Sequence, residues 1–258
     1  MYAVLRGVLL LYLIEQSEFE RRTKALLAKG SYNVDDLKEI VSLLRSDKGC
    51  PWDKVQTHQS IRRDFLEETY EVLEAIDCDS PEMLREELGD VLLQVVFHAD
   101  IEAEAQHFDL EAIADEVCRK LILRHPHVFG DVKADTVDKV LSNWDAIKKD
   151  EKQQETYTDT LKSVPKVFPS LMRAQKLGKR AARAGVELES EEQAKALAKK
   201  LIDSGDIAKA MLVCANIVRL SGGDAEEALA AECEGFIERF EAAEGSGLDG
   251  LTAEKLYN

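Results

Sequence analysis

Two short acidic patterns in the first half of the chain have the spacing that metal chemistry needs. Glu67, Glu68 and Glu71 stand in Leu66-Glu67-Glu68-Thr69-Tyr70-Glu71, and Glu87 and Asp90 in Glu87-Leu88-Gly89-Asp90. Residues three apart on a helix share a face, so Glu68 with Glu71 and Glu87 with Asp90 each present paired carboxylates. Two antiparallel helices joined by a short connection bring the pairs together. Four carboxylates at close range repel one another unless cations lie among them. A donor set made only of oxygens suits Mg²⁺, with Mn²⁺ as a substitute.

A single Glu-x-x-Glu on a helix is usually a solvated face, so the surroundings must decide. Leu84, Leu88, Val91, Leu92, Val95, Val96 and Ala99 occupy one broad face of the second acidic segment, and Leu93 and Phe97 add apolar bulk on the other side. What remains polar is a narrow stripe of Glu87, Asp90, Gln94 and His98. An anionic stripe on an otherwise buried helix is costly unless partners neutralise it, which points to a site. A ferritin-like di-iron centre is the competing use of paired helical carboxylates and asks for Glu-x-x-His on two helices. Only Glu104 to His107 has that spacing, near a helix end and off the stripe.

The elements that must position these residues are helical. Asn33 caps a helix with Leu37, Ile40, Val41 and Leu44 at i, i+3, i+4 and i+7 spacing. A Gly/Pro break follows from Lys48 to Lys54, and a second helix runs from about His58 to Asp77. Ser80-Pro81 starts a third, with Ser80 as N-cap and Pro81 in the first turn, reaching about Gln106. Asp109 caps a fourth that reaches Leu123, and the loop Arg124-His125-Pro126-His127-Val128-Phe129-Gly130 ends it. A fifth surrounds Trp144 and fades into a polar stretch from Glu151 to Thr160. Pro165 and Pro169 mark a boundary, with more helices beyond.

Composition bounds the function. The chain has 258 residues, 45% hydrophobic and 33% charged, the profile of a folded globular protein. Lys+Arg 34 against Asp+Glu 50 gives a net charge of -16, which repels nucleic-acid backbones and argues against DNA or RNA as a partner. Five cysteines without a CxxC pair exclude a zinc ribbon or a disulfide framework and suit a reducing, cytoplasmic setting. The apolar run Val8 to Ile14 is too short to span a bilayer and has no small-residue cleavage site after it, so an added helix or an over-long start is expected there and no membrane is a partner.

The second half repeats the first. Asp90-Val91-Leu92-Leu93 and the residues to Ile101 align with Asp206-Ile207-Ala208-Lys209 and the residues to Ile217. With one residue dropped, Cys118 meets Cys233 and Arg124 meets Arg239. Three regions are expected: an extension over 1–32, a first helical domain over 33–160 and a second, degenerate copy over 161–258.

Cys50-Pro51-Trp52-Asp53, the Glu67–Glu71 run, Glu87-Leu88-Gly89-Asp90 and Arg124-His125-Pro126-His127-Val128-Phe129, in this order, resemble the MazG family of nucleoside triphosphate pyrophosphohydrolases. Met172-Arg173-Ala174-Gln175-Lys176 continues the likeness into the second half. The resemblance implies an all-α helical bundle, a homodimer, and Mg²⁺-dependent cleavage of nucleoside triphosphates to monophosphate and pyrophosphate. By motif position it makes Glu68, Glu71, Glu87 and Asp90 metal ligands, with Glu67 activating the attacking water or orienting a ligand. Lys120 and Arg124, four apart on one helix, take the place of the family's phosphate-contacting pair; Lys54 is a further candidate, and Trp144 is a candidate to stack on the base. His125 and His127 are expected to fix their loop rather than bind metal.

The second copy departs from this pattern. Asp203 and Asp206 replace Glu87 and Asp90, Lys195 stands where a glutamate is expected, Gly235 replaces Lys120, and Tyr257 lies about where a terminal tryptophan belongs. Chemistry is therefore expected in the first half, and scaffolding or dimer packing in the second. The alternative is a non-catalytic nucleotide-binding module or a structural helical dimer.

Overall fold

The computed structural model describes residues 16–132, 136, 139–140, 144, 147, 156–186, 190–244 and 252–257. Every described element is a helix. The chain divides into two compact units, Met1–Trp144 and Asp145–Asn258.

In the first unit, α1 (16–27) precedes α2 (Val34–Arg45), and Arg22 bridges the two by pairing with Glu39. Asn33 closes a full capping box with Asp36, as the sequence requires. The Gly/Pro break contains one helical turn, α3 (Pro51–Lys54). The next helix, α4 (Arg62–Asp77), starts four residues later than its apolar periodicity. Thr57 and Ser60 hydrogen-bond each other's backbone amides and hold a turn ahead of it. Ser80 caps α5 (Pro81–Glu104), and Asp109 caps α6 (Leu110–Arg124). The expected loop after α6 holds a further turn, α7 (Pro126–Phe129). Of the expected helix around Trp144, only Lys139, Val140, Trp144 and Ile147 lie among the described residues.

Cys78, Asp79 and Ser80 join α4 to α5, so the two must pack antiparallel, and Ala75, only 1% exposed, lets them approach closely. The core sits at the far end of this hairpin, where Val41, Ile61, Val96 and Phe97 are buried with Leu93, Ile101 and Leu110 against them. The broad apolar face expected along all of α5 is therefore only half covered. Leu88 and Leu92 remain exposed, as do Leu66, Tyr70, Leu73 and Ile76 on α4.

The second unit comprises α8 (Tyr157–Lys162), α9 (Ser170–Arg183), α10 (Glu191–Asp203), α11 (Ile207–Leu220), α12 (Ala225–Glu244) and α13 (Ala253–Tyr257). Its core is made of small residues, Ala174, Ala215 and Ala225, with Leu171 and Val218. The helices can therefore lie close: a side chain on Gly178 of α9 would meet Asn216 Oδ1 at 1.6 Å.

Candidate active site

The α4–α5 hairpin gathers the carboxylates. One oxygen each from Glu68, Glu71 and Glu87 lies within 4.8 Å of the others. Asp90, one turn beyond Glu87, adds its charge to both Glu68 and Glu87. Desolvation by burial, then the charges of Asp90, Glu71 and Glu87, hold the Glu68 carboxyl above the usual carboxylate range. Burial, then Glu71, Glu86 and Asp90, do the same to Glu87. Glu71, close to both, adds to the rise of each. A cation among them would relieve this crowding of negative charge. Oxygen donors alone, close together and short of positive charge, fit a hard divalent ion.

The other predicted residues are placed less tightly. Glu67, next to Glu68 but on an exposed face, is held by Arg63 at 2.7 Å. Lys54 pairs with Asp47 at 2.7 Å, and Lys120 with Glu116 on its own helix. Arg124 lies over the Trp144 ring, 5.7 Å from its centroid. The His125 ring meets Trp144 edge-on at 5.1 Å and tilts against His127 at 5.6 Å. His125 also bonds the Leu121 carbonyl at 2.6 Å. His125 thus ties its loop back to α6, whereas His127 offers only its ring and buries Nδ1 without a hydrogen-bond partner among the described residues, and Trp144 is drawn to the end of α6.

Two groupings were missed by sequence reasoning. His58, ahead of α4, stacks on His98 with a Nδ1–Nδ1 distance of 2.7 Å and reaches Glu102 with Nε2 at 2.6 Å; Glu102 also holds His107 at 2.7 Å. The polar stripe on α5 therefore continues past Gln94 into a histidine network, and His98 was the visible end of it. The second grouping centres on Arg45, buried at the end of α2. It pairs with Asp100 at 3.0 Å and Glu104 at 2.7 Å, donates to the carbonyls of Asp53 and Gln56, and lies over the Phe97 ring. Its signal was a cation four residues beyond Val41 on the apolar stripe of α2.

In the second unit the acidic pair is not on one helix face. Asp203 is the last residue of α10 and Asp206 the N-cap of α11, with Gly205 at φ 79 between them. The Asp206 side chain makes no cap bond and pairs with Lys209 at 3.0 Å.

A family profile, the MazG nucleotide pyrophosphohydrolase domain, matches residues 56–129, the stretch that carries both acidic pairs, Lys120 and Arg124. The Escherichia coli (strain K12) nucleoside triphosphate pyrophosphohydrolase is 37% identical over 246 residues, covering 86% of this chain and 94% of that protein. The chain belongs to the MazG family. The Thermotoga maritima member, named nucleoside triphosphate pyrophosphohydrolase/pyrophosphatase MazG, is 35% identical over 237 residues, 86% of this chain and 90% of its own. The Bacillus subtilis protein YabN is 45% identical over 148 residues, 57% of this chain, and the match spans only 30% of that protein. The all-α architecture agrees with MazG membership. No described helix is long and apolar enough to cross a membrane.

Proposed function

We propose that the chain hydrolyses nucleoside triphosphates to the monophosphate and pyrophosphate, with Mg²⁺, or Mn²⁺ in its place, held by Glu68, Glu71, Glu87 and Asp90. The convergence of Glu68, Glu71 and Glu87 within 4.8 Å carries this proposal. When bound, the metal supplies the positive charge that a triphosphate requires and lowers the pKa of a bound water. The protein does the rest. Glu67, once released from Arg63, accepts the proton of the attacking water or orients a neighbouring carboxylate. Lys120 and Arg124 hold the phosphates as charge develops on their oxygens. Trp144, already against Arg124, offers its ring to the base. Arg45 ties the turn carrying Lys54 to Asp100 and Glu104, at least about 15 Å along α5 from Asp90. Lys54 is therefore assigned to the end of the substrate away from the metal.

The exposed apolar rows on α4 and α5 support a homodimer. Leu66, Tyr70, Leu73 and Ile76 follow helical spacing on α4 beside Leu88 and Leu92 on α5, and a monomer rarely leaves such a patch open. The second unit is read as a degenerate copy without chemistry, and five free thiols suit the cytoplasm. The test is pyrophosphate release from a panel of nucleoside triphosphates with and without Mg²⁺. Metal-dependent release is expected, and nucleotide binding without turnover would favour the non-catalytic reading instead.

A further inference from the structure

Helix α9 gathers cations without anions in a chain whose net charge is -16. On other helices several basic side chains have a carboxylate one turn away, as Arg63 has Glu67, Arg119 has Asp115 and Lys195 has Glu191. Between Ser170 and Arg183 there are five basic residues, Arg173, Lys176, Lys179, Arg180 and Arg183, and no acidic one. At 3.6 residues per turn they fall within roughly a third of the helix circumference and along about 15 Å of its length. The opposite face, with Leu171, Ala174 and Gly178, is the one that packs. Like charges so aligned repel unless an anion lies along them.

The heads of these side chains are only partly occupied. Arg180 donates to the Thr160 carbonyl and to Ser163 Oγ; burial, then the charge of Arg183, depresses its pKa. The Lys176 ammonium sits over the Phe168 ring at 5.6 Å. Arg173 Nε is buried without an acceptor, an arrangement that a ligand oxygen would relieve. Among the described residues, Arg173, Lys176 and Lys179 have no carboxylate partner.

We propose that the Arg173–Lys176–Lys179 face of α9 is a metal-independent binding site for a short polyphosphate anion, free or carried by a nucleotide. A guanidinium fork and neighbouring ammonium groups match closely spaced phosphate oxygens. The net charge of -16 repels a long anionic polymer that runs past the stripe, whereas a short anion meets only the stripe. The carboxylates of the first unit repel the same anion when no metal is present, so a chelator separates this site from the hydrolytic one. The inference does not depend on the proposed hydrolysis.

The test is calorimetric titration of the full chain in EDTA at low salt with inorganic tripolyphosphate, then with a nucleoside triphosphate. One equivalent of each is expected to bind, in mutual competition and more weakly as salt rises. Arg173→Ala/Lys176→Ala/Lys179→Ala should weaken binding by about tenfold or more. Mg²⁺-dependent hydrolysis should not change in that variant, nor should Lys120→Ala/Arg124→Ala affect binding in EDTA. Lys179 is solvent-exposed, so Lys179→Glu tests the face without touching the packing. Absence of binding in the wild type, or unchanged binding in both a folded triple variant and Lys179→Glu, overturns the proposal. So does binding of the nucleotide alone, or preference for an RNA oligonucleotide or an acidic peptide over tripolyphosphate.

Discussion

Glu68, proposed as a metal ligand, is held at a cost in the metal-free protein. Its pKa is raised on folding, by burial and by its anionic neighbours. Stability from this group is fully present below the ordinary carboxylate pKa and is lost as pH rises through the folded value. At neutral pH the metal-free protein therefore carries the repulsion. Glu68→Gln should lower Mg²⁺-dependent hydrolysis by about a hundredfold or more while raising the melting temperature measured in EDTA. A variant that melts lower in EDTA and still turns over would place the metal elsewhere. His98 works in the opposite sense. Burial, then His58, depresses its pKa below 6.5, so the folded state binds fewer protons than the unfolded chain. Stability should fall as pH drops from about 6.5 through the folded value. His98→Asn should flatten that part of a melting-temperature profile, and an unchanged slope would contradict the role given to the histidine network.

At the scale of the elements, Arg45 connects α2, the turn of α3 and the end of α5. Its loss leaves Asp100 half-buried without its cation. Arg45→Met is expected to cost roughly 3–5 kcal/mol in urea unfolding, with Asp100→Asn recovering part of it in the double variant. Additive losses would mean the pair is incidental. The helices, caps and acidic pairs were legible in the sequence because each rests on local chemistry: Asn33, Ser80 and Asp109 name their own caps, and i, i+3 spacing puts Glu68 with Glu71. Which side of α5 is buried was not legible. Periodicity marks Leu88 and Leu92 as apolar, but only the position of α2 decides that Val96 and Phe97 are covered and Leu88 is not. The partners of Arg45 lie 55 and 59 residues away, beyond the reach of spacing. In the second unit, three residues apart does not put Asp203 and Asp206 on one face, because Gly205 makes a turn between them.

For the whole molecule, the proposed homodimer through the open apolar rows on α4 and α5 would tie activity to assembly. Leu66→Asp/Leu73→Asp should convert the protein to a folded monomer with little activity, as judged by light scattering and pyrophosphate release. A monomer with full activity would separate the two. The division of labour between the units has a sharper test. Asp90 adds its charge to Glu68 across the helical hairpin and to Glu87 one turn away on its own helix, whereas Asp206 sits at a turn and pairs with Lys209. The decisive measurement is Mg²⁺-dependent pyrophosphate release from nucleoside triphosphates by Asp90→Asn and Asp206→Asn, side by side with the wild type. Asp90→Asn should lose activity by about a hundredfold or more, and Asp206→Asn should keep nearly all of it. Loss of turnover in Asp206→Asn with the fold intact, or normal turnover in Asp90→Asn, would put the chemistry in the other half of the chain.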